Sequence, residues 1–319
     1  MIRIASRRSK LAMAQSESVR RRLVEAWPER RFEIVTIDTR GDREIDRPLP
    51  QIGGKGLFTE ALERALFSGE ADVAVHSLKD LPTELGSGLT IGAIAGREDP
   101  RDVWVAREGG AEHPQEAPPG SRVGTSSERR RALILAIRDD VEVSSVRGNV
   151  DTRLRKLDDG EYDALVMAAA GLVRLGLGGR ITSYLDPPYW LPAPGQGALA
   201  VERRSDDEET ARLLERIESP NARAEIEAER ALLAVLEGGC QVPVGALARA
   251  EAPELALQAL VALPDGSRIV AAERRGAIEA PAELGRSVAA ELIARGADEI
   301  LKQVRGAPGA KGGGEGGAT

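Results

Sequence analysis

Lys79 and Asp80 stand side by side in VAVHSLKDLPT (residues 73–83), directly after an apolar run that reads as a strand. Ligands of open α/β sheets gather at the carboxyl ends of strands, where an adjacent acid and base can move protons or orient an N–H donor. A bare Lys-Asp pair is most often a solvated turn, so it is the longer string that is informative. The single cysteine, Cys240, lies in LEGGCQVPVGA (236–246). A lone cysteine is often inert core; here Gly238, Gly239 and Pro243 favour an accessible loop. A papain-like role would need a histidine partner, and neither His76 nor His113 lies in a paired motif.

Arginine recurs at strand ends. In RVGTSSERRRA (122–132), Thr125, Ser126 and Ser127 occupy a strand-to-helix junction, where hydroxyls and free N–H groups can hold an anion. Arg129, Arg130 and Arg131 then open the helix against its dipole, which is unfavourable unless an anion is near. Capping by Ser127 with solvated arginines is the alternative. SVRGNVDTRLRKL (145–157) repeats the arrangement with Arg147, Arg153 and Arg155; Arg174 follows a third strand and Arg7 the first. Guanidinium groups bind carboxylates bidentately, so a cleft lined this way expects a ligand with many carboxylates or phosphates.

IGGKGLF (52–58) fails as a phosphate-binding P-loop, because Leu49 and Gly56 stand where Gly and Ser/Thr are required. Lys55 and Phe58 on this glycine-rich loop suit a mobile lid. GLGG (176–179) would need a third glycine where the chain has Ile181, so dinucleotide binding is unsupported.

The composition narrows the classes. A net charge of −7 argues against a broad nucleic-acid footprint, although 38 of the basic residues are arginine and only six are lysine. One cysteine excludes a disulfide framework, and two histidines leave a zinc site short of ligands. No apolar run is long enough to span a bilayer, and MIRIASRRSK lacks a secretory h-region. The expectation is a cytoplasmic protein that binds neither membrane nor nucleic acid.

The elements that must position these residues alternate as in an α/β chain. Strands are expected at 2–5, 32–37, 71–77, 89–96, 103–106, 122–125, 141–146, 163–169 and 198–204. Helices are expected at 9–27, 58–68, 127–138 and 149–158. REDPRD (97–102) and the proline-rich 186–197 read as crossovers between two lobes, with the ligand cleft between them. The predicted division is 1–97 with 198–217 for lobe 1, 101–192 for lobe 2, and 218–305 for a small α+β domain. That domain comprises a helix at 221–237, three strands and a closing helix at about 282–305. The glycine-rich tail 306–319 is expected to be disordered.

Taken with RIASRRSKLA, GGKGLF, REDPRD, GTSSERR, RGNVDTRL, EYDA, LPAPGQGA and EGGCQVP, the chain resembles the porphobilinogen deaminase (hydroxymethylbilane synthase) family over nearly its whole length. The resemblance implies a three-domain α/β fold, with two lobes like type II periplasmic binding proteins and a third domain bearing a reactive cysteine. It implies a dipyrromethane cofactor held through a thioether at Cys240. It also implies stepwise head-to-tail condensation of four porphobilinogen molecules with loss of ammonia, through an azafulvene, and hydrolytic release of hydroxymethylbilane. Asp80, with Lys79, would be catalytic, stabilising positive charge on the pyrrole. Arg7, Ser9, Lys79, Thr125, Ser127, Arg129, Arg130, Arg147, Arg153 and Arg174 would hold acetate and propionate groups. A monomer in tetrapyrrole (haem) biosynthesis is the family expectation. Lys10, where many members have Pro, and Glu128, where Leu is common, depart from the pattern. The competing reading is a non-catalytic two-lobed solute-binding or sensor module for a polycarboxylate. The extra domain and the glycine-flanked thiol count against it.

Overall fold

The computed structural model describes residues 1–39, 59–236 and 243–306. The first sheet begins with β1 (Ile2–Arg7), which runs parallel to β2 (Phe32–Ile37) on one side and to β3 (Val73–Ser77) on the other. Between β1 and β2 lies α1 (Lys10–Ala26), capped by Ser9, whose hydroxyl accepts from the Ala12 N–H at 3.3 Å. Val19 and Leu23 of α1 pack into the core beneath the sheet. A second helix, α2 (Glu60–Phe67), precedes β3, and β4 (Leu89–Arg97) lies at the far edge. The sheet is completed by β10 (Ala198–Arg204), antiparallel to both β3 and β4 and giving the order β2-β1-β3-β10-β4.

The chain leaves this sheet after Arg97 and enters a second one at β5 (Asp102–Ala106). There β6 (Arg122–Gly124) leads into α3 (Glu128–Ile137), β7 (Glu142–Ser144) into α4 (Val150–Asp158), and β8 (Ala164–Ala168) into α5 (Ala169–Arg174). With β9 (Ser183–Leu185) the order is β7-β6-β8-β5-β9. Residues 186–197 then carry the chain back to β10. The two five-stranded sheets are therefore joined by two crossovers, and the parallel strands of each direct their carboxyl ends toward one cleft.

After α6 (Glu208–Glu215) and α7 (Pro220–Val235) comes an antiparallel meander of β11 (Val244–Glu251), β12 (Glu254–Ala262) and β13 (Ile269–Ala277). One face of this meander is covered by α7, α8 (Pro281–Ala294) and α9 (Ala297–Gly306). From the other face Leu247 and Leu260 join the core of the second sheet, together with Trp104 and Trp190. The architecture is α/β, two sheet lobes with a small α+β domain. The single closing helix expected at 282–305 is two helices, because Gly296 turns the chain with φ at +96°. The short elements α5, α6 and β9 were not expected, and the tail beyond 306 lies outside the described residues.

Candidate functional site

The strand ends enclose a cavity of about 400 Å³ between the two sheets. The first sheet contributes Arg7 from the end of β1, then Ser9, Lys10 and Gln15 from the start of α1. Ser77 ends β3 and receives a 2.8 Å hydrogen bond from Gln15 Nε2. Immediately after it, Leu78–Asp80 form one 3-10 turn. Leu78 is buried and anchors the turn, so Lys79 and Asp80 face the cavity. The second sheet contributes Ser126 and Arg130 from the β6–α3 junction, Arg147 after β7, Arg153 on α4 and Arg174 at the end of α5. Gln196 of the second crossover lines the wall between the two sets.

Seven basic side chains and two carboxylates, Asp80 and Asp151, line this space. The imbalance shows in the titration of the wall. Burial pushes the Lys79 ammonium down to about 8, an effect that Asp80 opposes and Arg130 reinforces. Burial likewise lowers Arg153 to about 10, with Arg130 and Arg147 adding like-charge repulsion. Arg174 also falls to about 10, through burial first, with Glu98 opposing. Cations this crowded favour an anionic ligand, and each carboxylate brought among them relieves part of the repulsion. A molecule whose pyrroles each carry two carboxylates fits that wall.

Three of the residues expected to grip ligand lie beside the cavity and do not line it. Arg129 is buried, and its Nη1 donates to Asp102 Oδ2 and to the Leu191 carbonyl, both at 2.7 Å. Ser127 caps α3 by accepting from the Arg130 N–H at 3.4 Å. Thr125 is buried and its hydroxyl accepts from the Ser127 N–H at 3.2 Å. The anion that the cationic start of α3 requires is thus in the chain itself. Asp102, fully buried at the first position of β5, accepts from Arg129, from Arg130 Nε and Nη2 (3.0 and 2.7 Å), from Trp190 Nε1 (2.8 Å) and from Gln196 Nε2 (2.8 Å). Burial opposes its charge, but Arg129 and Arg130 hold the carboxyl far below the usual range.

Among the residues that the sequence did not single out are Gln15, Asp151, Gln196 and Asp102. Glutamine carries no charge signal, and Asp102 reads as one more polar residue of a hinge. Its position at the head of the apolar run DVWVA was the available clue. A second buried carboxylate, Glu229 of α7, accepts from Arg97 Nη1 and Nη2 (2.8 and 3.1 Å), the Gly195 N–H (2.6 Å) and the Ala248 N–H (2.8 Å). It fastens both crossovers to the small domain. Lys55, Phe58 and Cys240 lie outside the described residues. Among the described residues no helix is long and apolar enough to cross a membrane.

Residues 2–212 match the family model "Porphobilinogen deaminase, dipyromethane cofactor binding domain", and residues 223–294 match "Porphobilinogen deaminase, C-terminal domain". The porphobilinogen deaminase of Syntrophobacter fumaroxidans is 47% identical over 304 residues, covering 95% of this chain and 98% of its own. That of Desulforudis audaxviator is 50% identical over 302 residues, covering 95% and 97%. Among solved structures, the periplasmic VFT2 domain of Bordetella pertussis BvgS aligns with a TM-score of 0.41 at 20% identity, over 68% of this chain and 86% of its own. The chain belongs to the porphobilinogen deaminase family.

Proposed function

We propose that the deaminase reaction proceeds in the cavity between the two sheets, with Asp80 and Lys79 at the reacting centre and the primer anchored by a thioether at Cys240. As a member of its family the chain is a deaminating transferase with a dipyrromethane cofactor, and it joins porphobilinogen units with loss of ammonia. The observation that carries the residue assignment is the convergence of Asp80, Lys79 and five arginines from both sheets on one cavity.

When bound, dipyrromethane supplies the terminal pyrrole to which each new unit is joined. The Asp80 carboxylate accepts pyrrole N–H groups and is the counter-charge for a ring that becomes positive during condensation. Asp80 is exposed in the cleft, so that attraction strengthens as a bound pyrrole chain displaces water from around it. Lys79 supplies a cation beside Asp80 that holds a side-chain carboxylate and orients the ring. Arg7, Ser9, Arg130, Arg147, Arg153 and Arg174 take the remaining acetate and propionate groups. Arg129, Thr125 and Ser127 support this set from behind: Arg129 shares Asp102 with Arg130, and the two hydroxyls fix the start of α3. Cys240 follows α7, and its thiolate is the nucleophile able to hold a pyrrole chain without an added base.

The two-sheet division supports reading 1–97 with 198–217 as one lobe, 101–192 as the second and 218–305 as the cofactor-attachment domain. The protein is proposed to act as a cytoplasmic monomer on a small-molecule substrate, with no part for nucleic acid or membrane.

Single-turnover measurements on Asp80 variants test the assignment. Asp80→Ala should keep its fold and lose most of its turnover. Asp80→Glu, which keeps the charge one methylene away, should be intermediate. Equal rates in the two variants would show that charge at this position is irrelevant.

A further inference from the structure

Gln196 is almost wholly buried, and every polar atom of its amide is used. Its Nε2 donates to Asp102 Oδ1 and to the Pro100 carbonyl, both at 2.8 Å, and these two acceptors fix which end of the amide is oxygen. Its Oε1 accepts from Lys79 Nζ and from Arg130 Nη2, both at 3.3 Å. One neutral side chain therefore touches the reacting-site lysine, the buried Asp102 and the first crossover, while itself belonging to the second.

The backbone on either side allows it little freedom. Gly195 has φ at +77°, and a Cβ there would stand 2.7 Å from Leu78 Cδ2 and 3.2 Å from the Lys79 nitrogen. Gly197 has φ at +88°, and a Cβ would meet the Glu98 carbonyl at 2.3 Å. Both conformations and both approaches need glycine. The Gly195 N–H is held by Glu229, and the Gly197 carbonyl accepts from the Glu98 N–H (3.0 Å) and from Arg174 Nη2 (2.6 Å).

We propose that Gln196 is a positioning residue: it holds the Lys79 ammonium at the reacting site and ties that position to the two crossovers joining the lobes. The inference rests on the reading of Lys79 and Asp80 as the reacting pair. The charged groups acting on Lys79 are Asp80 on its own turn, Asp102 on β5, and Arg129 and Arg130 on α3. The two arginines disfavour the ammonium, and the Gln196 carbonyl is the neutral acceptor placed between Lys79 and the nearer of them. Any movement of the second crossover relative to β3 must stretch that contact.

Six lysines make direct observation practical. We would titrate the purified full-length enzyme labelled at lysine Cε by NMR, with the Lys79 resonance assigned through Lys79→Arg. Gln196→Met, which removes both halves of the amide, and Gln196→Asn, which keeps it but falls one methylene short, should each lower the Lys79 pKa by about half to one unit. Where Gln196→Met fails to fold, Gln196→Asn, which keeps a polar group beside Asp102, carries the test. A Lys79 pKa within about 0.2 unit of the parent in the folded variants, whatever their melting temperatures, would reduce Gln196 to a structural tie and overturn the proposal. This readout does not depend on turnover, so it can fail while the Asp80 test succeeds, and the reverse.

Discussion

Lys10 Nζ on α1 lies 2.8 Å from Asp151 Oδ2 on α4, so one ion pair links the first lobe to the second where both side chains line the cavity. Lys10 is 78% exposed and Asp151 46% exposed. An exposed pair of this kind is worth about 0.2–1 kcal/mol and is screened by salt. Lys10→Ala and Asp151→Ala should each change kcat/KM by less than about fivefold, with a double-mutant coupling that vanishes in high salt. Coupling that persists there would mean that the pair is less solvated than its exposure indicates.

Asp102 is the opposite case, a charge with no access to water. Asp102→Asn keeps the shape and leaves Arg129 and Arg130 without their buried counter-charge, so stability should fall by about 3–5 kcal/mol in denaturant titrations. The folded carboxyl is held far below its unfolded value of about 3.9. Its stabilising contribution is therefore complete above that pH and lost only as the pH falls toward the folded value. The advantage over Asp102→Asn from this carboxyl should stay constant between neutral pH and mild acid. A steady decline across that range would contradict the assignment.

The fold was more legible than the wiring. β2 and β10 coincide with the apolar runs FEIVTI and ALAVERR, because a buried strand of that length has little else to be. β9, only Ser183–Leu185, has no periodicity to detect and exists through its pairing with β5. The cavity arginines after strands were legible from their spacing. Arg129 was not, because the conflict between its charge and the helix dipole can be settled by a ligand or by an internal carboxylate. Nothing local to α3 points to Asp102, 27 residues upstream. Gln196 was invisible for the same reason, since its partners come from the turn after β3, from β5, from α3 and from the first crossover.

Lys79 should make ligand binding pH-dependent. Its folded pKa of about 8 lies below the unfolded value of about 10.4, so the free protein bears the cost of a charged Lys79 below about pH 8 and is relieved of it as pH rises from there to about 10. A carboxylate ligand reverses the preference by favouring the ammonium, so binding should be accompanied by proton uptake near pH 8. Calorimetry of porphobilinogen binding to Cys240→Ser in buffers of different ionisation enthalpy should show that uptake, and Lys79→Met should abolish it. Equal uptake in both proteins would place the proton elsewhere.

Arg147 and Arg153 stand at the second lobe's side of the cavity. Replacing either with Leu removes a charge-assisted contact to a ligand carboxylate, worth about 1.5–3 kcal/mol, or roughly 10- to 100-fold in the affected step. Elongation should stall at discrete lengths, visible as protein-bound masses separated by one pyrrole unit. Normal product formation by both variants would remove them from the set that grips the chain.

The central claim is a primer held on Cys240, and the mass of the intact purified protein tests it most directly. The wild-type chain should be heavier than its sequence by two pyrrole units. Cys240→Ser should match its bare sequence and be nearly inactive, since a serine hydroxyl stays protonated without a strong base nearby. It should also be less stable, having lost a ligand that binds the folded state. A wild-type mass equal to the bare sequence, in protein that nonetheless consumes porphobilinogen, would contradict the covalent-primer account.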